Sequence, residues 1–137
     1  MQYLTDNDIE IIKTELHEAI SPYLIILFGS AAKLQMRADS DVDVAYLSDV
    51  EINPYQQWLL AERLAGLLKR DVHLLDLKKV STVVQAQVVG KGKIILDQEP
   101  LRRQEYFILV LKKYARLNEE REPVLARIKE RGRVYVQ

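Results

Sequence analysis

Gly29-Ser30 closes one apolar run, and Asp41-Val42-Asp43 opens another after ten intervening residues. Alternate residues of a strand share a face, so Asp41 and Asp43 project together while Val42 and Val44 project into a core. Two like charges side by side are costly unless something positive sits between them. Magnesium meets that need, because it prefers oxygen ligands and takes substrate phosphates together with one or two carboxylates. Glycine permits a close approach or an unusual φ, and serine offers a hydroxyl and an amide to a phosphate oxygen. The chemistry implied is a phosphate seat facing a metal seat, as in nucleotidyl or phosphoryl transfer by two-metal catalysis. Gly-Ser after a strand is usually a turn, and a lone Asp-x-Asp is usually a solvated edge. The two together, each on an apolar strand, are far more specific.

These residues need strands to hold them. Tyr23 to Phe28 is β-rich and bounded by Pro22 and Gly29, which predicts a buried strand. Asp41 to Leu47 alternates as a second strand, and Ala31 to Ser40 is a polar connection. Before them, Thr5 and Asp8 form a capping pair for a helix carrying Ile9, Ile12, Leu16 and Ile20, which Ser21-Pro22 should end. After them, Asn53-Pro54 starts an amphipathic helix from Tyr55 to Arg70, with Leu59, Leu60, Leu64, Leu67 and Leu68 as its apolar stripe. Tyr55 and Trp58 are read as packing residues of that helix, with stacking on adenine as the alternative. Asp71 to Leu77 is a third strand. Ser81 caps a short helix through Val89, Gly90 to Gly92 turns, and Lys93 to Leu96 is a fourth strand. From about Leu101 a helical pattern runs to about Arg131, broken near Glu122-Pro123. This order predicts an α/β (α+β) fold, a mixed β-sheet packed on helices. Residues 1–100 form the core, and residues 101–137 are a helical C-terminal extension of the same domain.

With 48% hydrophobic and 29% charged residues the chain falls in the globular class, not the disordered one. A net charge of zero gives no global argument for nucleic acid or membrane, and direct nucleic-acid binding is not expected. The charge is unevenly spread: residues 1–53 hold ten Asp or Glu against three Lys or Arg, and residues 101–137 hold ten Lys or Arg against five Glu. The acidic half suits a cation and the basic segment an anionic or acidic partner. Tyr106, Tyr114 and Tyr135 in that segment are read as packing residues, with contact to a partner or acceptance of a transferred group as the alternatives, and Arg131 to Tyr135 as an exposed end that could dock a protein or RNA surface. The absence of cysteine excludes a thiolate nucleophile and a Cys-based zinc site. The polar, acidic start is unlike a signal peptide, and the longest apolar run, Leu24 to Phe28, is too short to span a bilayer. A cytoplasmic protein is expected.

The pattern Gly29-Ser30, ten residues, Asp41-Val42-Asp43 resembles the GS-x10-D-x-D signature of the minimal nucleotidyltransferases (MNT) of the DNA polymerase beta superfamily. The resemblance covers about residues 5–100 well and the helical segment loosely. Within that superfamily the chain looks most like the antitoxin members of HEPN/MNT toxin–antitoxin pairs. The resemblance implies a nucleotidyltransferase fold, Mg2+, ATP as substrate, and a HEPN-domain ribonuclease toxin as partner in a hetero-oligomer. By the same implication the activity is transfer of AMP to a tyrosine of the toxin, which neutralises it. Gly29 and Ser30 would bind the triphosphate, and Asp41 and Asp43 the metals.

Two departures stand out. Many relatives carry an arginine just after Gly-Ser, where this chain has Ala31-Ala32-Lys33; Lys33 or Arg37 could supply that charge. Relatives also carry a third carboxylate on a neighbouring strand, and here the run is Asp71-Val72-His73-Leu74-Leu75-Asp76. Asp76 is the leading candidate for third catalytic and metal-binding residue, with His73 and Asp71 as the alternatives. Such a group would help lower the pKa of the attacking hydroxyl, and a tyrosine, at about 10, needs less help than an aliphatic alcohol.

Two other functions fit parts of the pattern. A non-catalytic antitoxin would mask the toxin by binding, although masking has no use for clustered carboxylates. A small-molecule nucleotidyltransferase would need a larger substrate domain than roughly 40 residues after the core allow.

Overall fold

The computed structural model describes residues 4–29 and 40–135, without the side chains of 124, 125 and 128–135. Its elements in chain order are α1 (Asp6–Ile20), β1 (Leu24–Phe28), β2 (Val42–Leu47), α2 (Pro54–Leu68), β3 (Val72–Asp76), α3 (Thr82–Lys91), β4 (Lys93–Asp97) and α4 (Pro100–Tyr135).

Local signals set most boundaries. Thr5 and Asp8 form a reciprocal capping box at 3.0 and 3.1 Å, so two otherwise orphaned amides are satisfied as α1 begins. Ser21 closes α1 in the left-handed conformation at φ 43°, and Pro22 cannot continue it. Asn53 and Gln56 repeat the box for α2, with Pro54 in its first turn, and Ser81 caps α3.

The four strands form one mixed sheet in the order β3-β2-β1-β4. β1 is antiparallel to both β2 and β4, whereas β2 and β3 are parallel. The expected mixed sheet on helices is thus present. One face, with Ile25, Leu27, Val42, Val44 and Tyr46, packs on Ile12, Leu16 and Ile20 of α1 and on Leu60, Ala61, Leu64 and Leu68 of α2. The other face, with Leu24, Ile26, Ala45 and Leu47, packs on Val84 and Val88 of α3 and on Tyr106 and Phe107 of α4. The carbonyl of Leu77 ties both helices to the end of β3, accepting from Gln85 Nε2 at 2.7 Å and from Tyr106 Oη at 3.2 Å.

Several expectations need correction. α3 runs through Gly90 to Lys91, so only Gly92 turns. At Gly92 a side chain would run into Ile26 and the Val88 carbonyl, which lets α3 lie close against β1. α4 is one helix with Pro123 inside it. A proline removes one hydrogen bond, which does not end a helix flanked by Glu, Arg, Leu and Ala. On α2, Leu59 and Leu67 are exposed rather than core, because Ala61 and Leu68 complete a narrower buried stripe with Leu60 and Leu64. Tyr55 and Trp58 do not pack into the core either; they are exposed and stack on each other at 6.1 Å. Among the described residues no helix is long and apolar enough to cross a membrane.

Candidate active site

Val42 and Val44 are fully buried, so the intervening Asp43 must face the other side of the sheet. Register places it between Phe28 of β1 and His73 of β3. Phe28, Asp43 and His73 thus form one row across three strands. Asp41 immediately precedes β2 and shares the parity of Asp43, as the sequence required. The Asp43 side chain is 22% exposed and that of Asp41 44%, which makes one anchored and one open carboxylate.

Gly29 ends β1 with φ +62°, a conformation side chains rarely adopt. A Cβ there would also collide with the Asp43 carboxylate. The glycine therefore serves two purposes, turning the chain and leaving room for Asp43. Ser30, Lys33 and Arg37 lie outside the described residues, as does most of the polar connection.

The third position is occupied by His73. Its Nδ1 stands 3.0 Å from Asp43 Oδ1, and its Nε2 is 3.6 Å from Asp41 Oδ2. Asp76, the leading candidate from the sequence, is not brought to this site. It pairs in register with Tyr46, whose side chain belongs to the α1/α2 face, so Asp76 lies on the opposite side of the sheet from Asp43. His73 and Asp76 are three positions apart, an odd offset, and the alternation of a strand sends them to opposite faces. Asp76 is buried, its Oδ1 accepts the Lys78 amide at 2.9 Å, and its partner Lys79 is 4.0 Å away. Asp71 is exposed just before β3, and its carbonyl accepts the Val42 amide.

Burial pushes the Asp43 carboxyl above the usual carboxylate range, the hydrogen bond and charge of His73 oppose that, and the neighbouring Asp41 adds to it. A carboxylate held in this state gains from a cation. Among the described residues no three His, Asp or Glu side chains already surround one point. Two carboxylates completed by substrate phosphates and water suit Mg2+, which is seldom held in an all-protein cage. The residues present fit that ion.

Two clefts lie near the row, one on each face of the sheet. One, of about 220 Å3, lies between Phe28 and Gly29 of β1 and Val84, Gln87, Val88 and Lys91 of α3. The other lies between β3 and α2, with His73, Gln57 and Trp58 in its walls. Neither was legible in the sequence, because each joins residues distant in the chain.

A mixed sheet that sets an Asp-x-Asp opposite a glycine turn is the frame of a nucleotidyltransferase. The chain belongs to the Polymerase beta nucleotidyltransferase family, whose model matches residues 10–101. It is 34% identical over 126 residues to the protein adenylyltransferase MntA of Shewanella oneidensis, covering 91% of this chain and 88% of that protein. In structure it is similar to a chain of the complex of tri-AMPylated S. oneidensis HEPN toxin with MNT antitoxin. That match has a TM-score of 0.78 and 29% identity, over 94% of this chain and 99% of that one. A toxin–antitoxin complex with AMP-PNP gives a TM-score of 0.81 at 31% identity, over 92% and 99%.

Proposed function

We propose that this protein is a protein adenylyltransferase and antitoxin that transfers AMP from ATP to a tyrosine of a cognate HEPN ribonuclease toxin, neutralising it in the cytoplasm in a hetero-oligomeric complex. The observation that carries this reading is Asp43 set against Gly29, with Asp41 of the same parity, in a chain alike over nearly its whole length to a protein adenylyltransferase. Residues 1–100 supply the chemistry, and residues 101–137 extend the same domain as a helix.

In the reaction the tyrosine Oη attacks the α-phosphorus of ATP, the bond from that phosphorus to the bridging oxygen breaks, and pyrophosphate leaves with the electron pair. Mg2+ held by Asp41 and Asp43 would offset charge on the phosphates and favour the ionised hydroxyl. The Gly29-Ser30 turn would receive the triphosphate. With Nδ1–H of His73 assigned to Asp43, the Nε2 lone pair stands 3.6 Å from Oδ2 of Asp41, the more exposed carboxylate. That nitrogen accepts the phenolic proton. Positioning and electrostatics supply the rate, with no covalent enzyme intermediate. The toxin tyrosine would reach the carboxylates round the open edge of β3, past His73 and the exposed Trp58.

The test is intact-mass spectrometry of the cognate HEPN protein after incubation with this protein, Mg2+ and each nucleoside triphosphate. Gain of one or more AMP units from ATP, absent with an Asp41→Asn/Asp43→Asn double variant, supports the transferase. No gain, with the ribonuclease inhibited equally by both proteins, would leave an antitoxin that masks its toxin by binding.

A further inference from the structure

The row Phe28, Asp43, His73 has an open neighbour at each end, and they are chemically unlike. At the His73 end β3 is the open edge of the sheet; at the Phe28 end a cleft has an apolar floor and two long polar side chains at its rim. Val84 and Val88 pack on the core beneath it, while Gln87 and Lys91 on the same stretch of α3 are exposed. These four fall at i, i+3, i+4 and i+7, so one face of α3 presents them together. At about 220 Å3 the cleft is smaller than the roughly 300–1,000 Å3 of a site for a whole small molecule, and it suits one moiety.

We propose that this cleft seats the nucleobase of the substrate nucleotide, with Gln87 reading the base edge and Lys91 meeting the phosphate chain. The inference rests on the adenylyltransferase reading and adds to it the residues that choose the base. Phe28 offers an aromatic surface beside the planar base, and Val84 and Val88 exclude water from it. A glutamine carboxamide has a donor and an acceptor side by side, which matches the amino group and ring nitrogen of adenine. Guanine presents acceptors where adenine presents its amino group, and pairs less well with the same amide. Lys91 ends α3 near Gly29, and the adjoining Lys93 is in register with Leu27 at the same end of β1. An ammonium there faces the turn to which the phosphates are assigned. The seat also leaves the open edge of β3 beside His73 clear for the acceptor.

The experiment uses the full chain with Mg2+ and measures binding of AMP-PNP, GMP-PNP and adenosine by titration calorimetry. Gln87→Ala and Lys91→Ala are compared with wild type, and thermal melts check that these exposed substitutions leave the fold intact. The inference expects Gln87→Ala to cut the preference for AMP-PNP over GMP-PNP by about tenfold. It expects Lys91→Ala to weaken AMP-PNP by a similar factor and leave adenosine unchanged. It also expects 8-azido-ATP to crosslink within residues 82–91. Unchanged affinity and base preference in both variants, with crosslinks elsewhere, would place the base outside this cleft while toxin modification by wild type still stood. If wild type neither binds AMP-PNP nor modifies the toxin, both the seat and the transferase reading fall.

Discussion

His73 Nδ1 lies 3.0 Å from Asp43 Oδ1, joined across the parallel pairing of β2 and β3. The imidazole thereby fixes the rotamer of the more buried carboxylate and partly offsets its charge. A third carboxylate in that place would add repulsion instead.

His73→Ala should lower the rate of AMP transfer by about 10- to 100-fold, the usual cost of losing a group that orients a metal-binding side chain. The KM for ATP should change little, since the proposed seat of the phosphates is on the glycine side. An unchanged rate would remove His73 from the reaction.

Asp43 titrates above an ordinary aspartate because it is buried. Its folded pKa exceeds its unfolded value, so it lowers stability as pH rises through the interval from 3.8 to that raised value. Above the interval the penalty is constant. Asp43→Asn should therefore raise the melting temperature at neutral pH without divalent cation, and the gain should vanish in acid. Added Mg2+ should stabilise wild type more than the variant. Calorimetry at several pH values with and without Mg2+ checks both, and equal Mg2+ stabilisation of the two proteins would count against Asp43 as a ligand.

Gly29→Ala combines a left-handed φ with a collision against Asp43. Displacing that carboxylate by even an ångström should reduce transfer about 100-fold. The backbone strain should cost about 1–3 kcal/mol in stability. Transfer at the wild-type rate would mean that the turn can relax without moving Asp43.

Asp76→Ala separates location from residue type. It removes the charged acceptor of the part-buried Lys78 amide, which should cost about 1–3 kcal/mol. Transfer below the melting temperature should stay within about twofold of wild type. A loss of transfer as large as that of Asp43→Asn would return Asp76 to the catalytic set.

Trp58→Ala tests the acceptor side. Trp58 is exposed beside His73, so its removal should leave the fold and AMP-PNP affinity unchanged while raising the KM for the toxin. An aromatic hot spot of this kind typically costs about 2 kcal/mol, roughly 30-fold. An unchanged KM would direct the toxin to another surface.

The sequence by itself determined most of the elements and the shared face of Asp41 and Asp43. Capping at Thr5, Asn53 and Ser81 is local chemistry, and the alternation from Asp41 to Val44 assigns faces with no knowledge of neighbouring strands. It also held the argument against Asp76, because an odd separation from His73 reverses the face. Only the tertiary structure decided which residue stands beside Asp43. That depends on the register of β3 against β2, fixed by Val72 and Leu74 burying on the α1/α2 face. The exposure of Trp58 and the cleft of Gln87 and Lys91 were likewise settled by packing. A helical stripe records which side of a helix is apolar, but not how far the partner surface extends to cover it.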